Sequence, residues 1–167
     1  IFISNDFFER DYLYVNQKNG KFKEDLTNQF ESISMGSMGA DAADLDNNGF
    51  TDIMVTEMLP KTIERQRTKT IFENWNKYDM GVKNEYHYQF SRNALHKNIG
   101  NNTFLEVSRF SNVHASEWSW STLLFDADND GLKDIFISNG IYKDLLDRDY
   151  LNYMANTEKI KEMMQTD

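Results

Sequence analysis

The sequence predicts a mainly β fold. It reads as a fragment of a β-propeller built from four-stranded antiparallel blades, with helical insertions after the second strand of each blade. Three observations predict this. A nine-residue acidic loop occurs twice, the sequence around the two copies repeats in register, and a short apolar run suited to a buried strand follows each copy.

The first loop is Asp44-Leu45-Asp46-Asn47-Asn48-Gly49-Phe50-Thr51-Asp52, and the second is Asp126-Ala127-Asp128-Asn129-Asp130-Gly131-Leu132-Lys133-Asp134. Oxygen-bearing side chains stand at positions 1, 3, 5 and 9 of each, with glycine at position 6. Oxygen-only donors around a tight turn suit a hard cation with six to eight ligands, which is Ca2+. The expected ligands of one ion are Asp44, Asp46, Asn48 and Asp52 with the carbonyl of Phe50. Those of a second ion are Asp126, Asp128, Asp130 and Asp134 with the carbonyl of Leu132. An EF-hand would need a glutamate at position 12 and a helix after it. Val55 and Ile137 stand there, inside Ile53-Met54-Val55-Thr56 and Ile135-Phe136-Ile137-Ser138, which read as strands. An Asp/Asn/Gly cluster is also what a solvated turn looks like. Two copies with matching spacing and flanks favour metal.

The loops lie 82 positions apart, and the register extends beyond them: Leu13 matches Leu95, Asn16 matches Asn98, Phe22 matches Phe104 and Ser34 matches Ser116. Ile1-Phe2-Ile3-Ser4-Asn5 is identical to Ile135-Phe136-Ile137-Ser138-Asn139. In each unit strand one enters the loop (Ser37 to Ala43; Glu117 to Phe125) and strand two leaves it (Asp52 to Thr56; Asp134 to Ser138). Strand three is Tyr12 to Asn16 or Ala94 to Asn98. A turn at Asn19-Gly20 or Gly100-Asn101-Asn102 leads to strand four, Phe22 to Leu26 or Phe104 to Ser108. Four antiparallel strands per unit make a propeller blade, and a propeller takes about four to eight blades. Residues 1–33 are then the closing part of one blade, and 34–113 a complete blade with an insertion at 57–92. Residues 114–139 are the opening half of the next blade, and 140–167 a helical segment. The remaining blades are expected in a larger parent protein or complex.

The loop, the strand after it and the Asn-rich turn together resemble the FG-GAP/VCBS-type repeat. The residues that carry this include Ser34-Met35-Gly36-Ser37-Met38-Gly39-Ala40-Asp41 leading to Asp44, and Trp118-Ser119-Trp120-Ser121 leading to Phe125-Asp126. The likeness is closest to bacterial relatives of the cartilage acidic protein type, and it leaves out 57–92 and 140–167. It implies calcium-binding blades like those of integrin α-subunits, in a secreted or cell-surface protein that binds proteins or glycans.

Composition narrows the classes. With 27 acidic and 18 basic residues the net charge is −9, a poor match to nucleic acid, whose affinity rests on Lys and Arg at phosphates. The absence of cysteine excludes disulfides, zinc-thiolate sites and a thiol nucleophile. No stretch reaches the roughly 20 apolar residues that span a bilayer. Weak calcium sites work where calcium is abundant, outside the cytoplasm. No histidine pair has metal-ligand spacing and no nucleophile motif appears, so a non-enzymatic module is expected; the alternative is part of a polysaccharide-acting enzyme whose catalytic residues lie outside this chain. Glu57, Glu85 and Glu117 read as surface residues.

The insertion reads as an amphipathic helix with Pro60 in its first turn, an apolar stripe of Ile63, Ile71, Phe72, Trp75 and Tyr78, and Gly81 as its stop. Its basic residues (Lys61, Arg65, Arg67, Lys69, Lys77) suit either a solvated face or an acidic partner. The tail carries a second stripe, Tyr142, Leu145, Leu146, Tyr150, Tyr153 and Met154, with Thr157 capping a further helix through Ile160, Met163 and Met164. Both segments leave from strand two, so one rim of the blades is the expected partner surface. Trp118 and Trp120 alternate on a strand and share a face, which suits sugar stacking or the packing between blades.

Overall fold

The computed structural model describes residues 1–6, 9–70, 74–141 and 147–156. The chain runs through β1 (Phe2–Ile3), β2 (Tyr12–Asn16), β3 (Phe22–Glu24), α1 (Leu26–Gln29) and β4 (Ile33–Ser34). It continues through β5 (Ala40–Ala43), β6 (Asp52–Val55), β7 (Met58–Leu59), α2 (Ile63–Lys69), α3 (Trp75–Lys83) and β8 (Gln89–Phe90). Then follow β9 (Ala94–Asn98), β10 (Phe104–Glu106), β11 (Glu117–Phe125), β12 (Asp134–Asn139) and α4 (Arg148–Met154). The fold is mainly β. Three antiparallel sheets have the orders β1-β2-β3, β10-β9-β6-β5 and β12-β11-β7, and β4 pairs with β8 in parallel.

The second sheet is a four-stranded antiparallel meander, with Ile53 opposite Ala42 on β5 and His96 on β9. β6 is buried along its whole length, so its alternating side chains feed two cores. Ile53 and Val55 join Leu26, Phe30, Ile33, Ala94 and Phe104, against which Phe2 and Leu13 of the first sheet pack. Met54 points the other way, into Leu95 and Leu124, with Ile135 and Ile137 of the third sheet packed against them. The apolar run after the first acidic loop thus lies between sheets, which explains why it is apolar on both faces.

Just before β5, Gly39 lies against β11 of the third sheet. A Cβ there would lie 2.6 Å from Ser121 Cα and 2.8 Å from the Trp120 carbonyl oxygen, so only glycine fits. The Leu124 amide donates to the Asp41 carboxylate at 2.8 Å across the same interface.

Several expectations are corrected. The insertion is broken into more than one helix. α2 begins at Thr62, whose hydroxyl accepts from the Arg65 amide, and ends where Thr70 turns extended; α3 begins at Asn74. Pro60 precedes the cap of α2, and Gly81 lies inside α3. The insertion also contributes two short strands with no readable period, β7 against β11 and β8 against β4. In the tail α4 is capped by Asp147, whose carboxylate accepts from the Asp149 and Tyr150 amides. Tyr150, Tyr153 and Met154 on it are exposed. α2 packs beside α4, which places the insertion and the tail on one side. The expectations for Ile71, Phe72, Tyr142, Leu145, Leu146, Thr157, Ile160, Met163 and Met164 lie outside the described residues. Among the described residues no helix is long and apolar enough to cross a membrane.

Candidate metal centres

Both acidic loops close by the same hydrogen bonds. The position-1 carboxylate accepts the amides of positions 5 and 6. Asp44 takes Asn48 at 3.0 Å and Gly49 at 2.8 Å, and Asp126 takes Asp130 at 3.1 Å and Gly131 at 2.9 Å. The position-5 side chain accepts the position-7 amide, Asn48 from Phe50 and Asp130 from Leu132, each at 2.8 Å. The position-9 carboxylate accepts the position-2 amide, Asp52 from Leu45 at 3.0 Å and Asp134 from Ala127 at 2.9 Å. Positive φ falls at positions 4 and 6 of both loops, at Asn47 (56°) and Gly49 (86°) and at Asn129 (62°) and Gly131 (91°). Asparagine tolerates that region better than other side-chain-bearing residues, and glycine occupies it without steric cost. The repeat thus extends to the backbone dihedrals, and the asparagine at position 4 is a conformational requirement that the ligand pattern alone does not reveal.

These bonds gather the carboxylates. In the first loop one oxygen from each of Asp44, Asp46 and Asp52 lies within 4.8 Å of the others. In the second loop the group is Asp126, Asp128 and Asp130. The donor set is oxygen-only in both, which fits a hard divalent cation. Position 9 distinguishes the two loops. Asp52 is buried and its second oxygen accepts the Asn98 amide of β9 at 2.8 Å, whereas Asp134 is exposed and stands outside its group. Phe50 and Leu132, expected to offer carbonyls, have exposed side chains. The loops adjoin each other, since the Asn47 side-chain amide donates to the Gly131 carbonyl at 3.1 Å.

The first loop has a resident cation of its own. The Lys97 ammonium pairs with the Asp46 carboxylate. This bond holds Asp46 below the ordinary aspartate range and raises Lys97. A metal ion at this loop would have to compete with Lys97 for that oxygen. Val15 stands at the matching place in the preceding unit, so the repeat gives no hint of this lysine.

A register shift between Ser119 and Ser121 interrupts the alternation on which the shared face of Trp118 and Trp120 rested. Trp118 is half-buried and lines a cavity of about 320 Å³ with Met58, Arg65, Lys69 and Asn139. Its indole N–H is buried without an acceptor among the described residues. Trp120 is 49% exposed and donates to the Gly140 carbonyl. Glu117 beside the cavity adopts a φ of 72° and receives the Arg65 guanidinium of α2 on both carboxylate oxygens, at 2.9 and 3.0 Å. Glu57, expected at the surface, is instead only 3% exposed. Its carboxylate accepts the Gly36 amide at 2.8 Å, the Ser34 hydroxyl at 3.3 Å and the Met58 amide at 2.9 Å.

Residues 1–55 match the family model of the FG-GAP-like repeat, a segment that spans the first sheet, the first acidic loop and β6. The match supports an FG-GAP-like repeat protein. Searches of curated proteins and of solved structures returned no match.

Proposed function

We propose that this chain is a calcium-binding β-propeller repeat module of a secreted or cell-surface protein, without catalytic activity, that binds protein or glycan partners. The observation that carries the calcium reading is the convergence of three carboxylates in each of two loops with the same backbone conformation. Asp44, Asp46, Asn48 and Asp52 with the Phe50 carbonyl would hold one ion. Asp126, Asp128, Asp130 and Asp134 with the Leu132 carbonyl would hold the other. The ion supplies positive charge that offsets the repulsion among clustered carboxylates and ties the strand before each loop to the strand after it. Millimolar calcium outside cells suits exposed sites of this kind.

The packing supports a multi-unit parent. Met54 is 0% exposed, covered from the third sheet, whereas Phe136, at the matching place in that sheet, is 52% exposed. Leu123 and Phe125 lie exposed on β11 of the same sheet. A further unit of the same kind fits this face. For a glycan partner we favour the Trp118 cavity, whose rim is charged and whose indole N–H has no acceptor among the described residues.

Calorimetric titration of the chain with CaCl2 tests the metal reading. Two sites are expected in the wild type and one in each of Asp46→Ala and Asp128→Ala. Absence of binding to the folded wild type overturns it.

A further inference from the structure

The two junctions between neighbouring sheets are fastened by one device that differs in a single group. Asp11 and Asn93 occupy the same place in the 82-residue register. Each accepts the amide of the second residue past the Ile or Val that closes the apolar run. Asp11 Oδ1 takes Asn5 N at 2.9 Å, and Asn93 Oδ1 takes Glu57 N at 2.7 Å. The other side-chain atom meets a serine leading into the next sheet. Ser37 Oγ donates to Asp11 Oδ2 at 2.9 Å, and Asn93 Nδ2 donates to Ser116 Oγ at 2.5 Å and to the Val113 carbonyl at 2.8 Å. Asp11 is 1% exposed and Asn93 0%.

Asn93 is neutral at every pH, whereas Asp11 is not, and burying its charge is costly unless a cation answers it. Among the described residues the groups facing it supply none. Glu57 is buried nearby, and Asp6 adds a third carboxyl. A Cβ at Gly36 would lie 3.0 Å from Glu57 Oε1 and 3.2 Å from Asp6 Oδ1, so these two oxygens flank one point. The neighbouring Arg10 guanidinium donates to the Asp11 backbone carbonyl and pairs with Glu24. Burial therefore pushes Asp11 up to about 7, with the Glu57 charge adding to the effect. Glu57 is raised by burial first and by Asp6 as well. A protonated carboxyl offers one acceptor and one donor, as the Asn93 amide does.

We propose that the junction between the first and second sheets is a proton-dependent fastening, tight when Asp11 is protonated and loosened when it ionises, and that the junction built on Asn93, whose side chain does not ionise, lacks this switch. The sign follows from the raised value. The stabilisation is complete below the ordinary aspartate range and is lost as pH rises through about 7.

Amide hydrogen exchange followed by NMR at pH 6 and 8.5, corrected for intrinsic rates, reads both junctions in one molecule. The Asn5 and Ser37 amides report the first junction, and the Asn93 amide, which donates to the His114 carbonyl, reports the second. Between these pH values the opening equilibrium at Asn5 and Ser37 should rise about tenfold, and that at Asn93, whose side chain does not ionise, should rise much less. Asp11→Asn should abolish the rise, and Asn93→Asp should create one at the second junction. Equal pH responses at the two junctions of the wild type overturn the proposal, as does a rise that persists in Asp11→Asn.

Discussion

His96 offers the sharpest numerical consequence of the fold. It sits on β9 at the centre of the four-stranded sheet, its ring edge against Phe30 at a centroid distance of 4.5 Å. It is 1% exposed, and neither ring nitrogen has a hydrogen-bond partner among the described residues. Burial holds it down at about 3, from an ordinary value of 6.5. The folded state therefore resists protonation that the unfolded chain accepts. Stability from this group is full above the unfolded value and declines as pH falls below it. At pH 5 the loss is RT ln(1 + 10^1.5), about 2 kcal/mol, and at pH 7.5 it is close to zero. The perturbation is His96→Phe, which keeps an aromatic ring and removes the titration. Urea unfolding of both proteins at the two pH values gives the assay. The variant's stability relative to wild type should improve by about 2 kcal/mol on moving from pH 7.5 to pH 5. Taking the difference between the two proteins cancels groups such as Asp11 that titrate in both. A relative stability that does not change between the two pH values would refute the reasoning, because it would mean that His96 finds a partner or water when protonated.

Met54→Ala removes the side chain that joins the second and third sheets and should cost about 2–5 kcal/mol in urea unfolding; a cost below about 1 kcal/mol would show that this interface collapses around the gap. Lys97→Gln removes the competing cation at Asp46, so calorimetry should find tighter calcium binding at the first loop and none of this effect at the second; unchanged affinity would mean that Lys97 already swings clear.

The long strands were legible because their patterns are bounded by turn residues. Tyr12–Asn16, Ala94–Asn98 and Glu117–Phe125 form over the ranges the sequence predicts. Their neighbours differ only at the ends, where Phe22–Glu24 gives way to α1 before the expected Leu26. β7 and β8 were invisible, since two residues carry no period and their pairing partners lie far along the chain. The clustering of loop carboxylates followed from their spacing, but the difference between Asp52 and Asp134 did not. It depends on whether another strand supplies an amide such as that of Asn98. Glu57 misled for a similar reason. A lone glutamate reads as surface, and only the fold brings the Gly36 amide and the Ser34 hydroxyl to it. The Trp118–Trp120 face was read from strict alternation, which a one-residue register shift is enough to break.

The most direct test of the account is a thermal melt of the chain in excess EGTA, in about 10 mM CaCl2 and in the same concentration of MgCl2, alongside the double variant Asp46→Ala/Asp128→Ala. At a hundredfold excess over its dissociation constant each site should add about 2.7 kcal/mol. The account predicts a clear rise in melting temperature with calcium, little with magnesium, and no calcium effect in the double variant. An unchanged melting temperature in calcium, in a chain that is folded, would show the two loops to be solvated acidic turns and would contradict it.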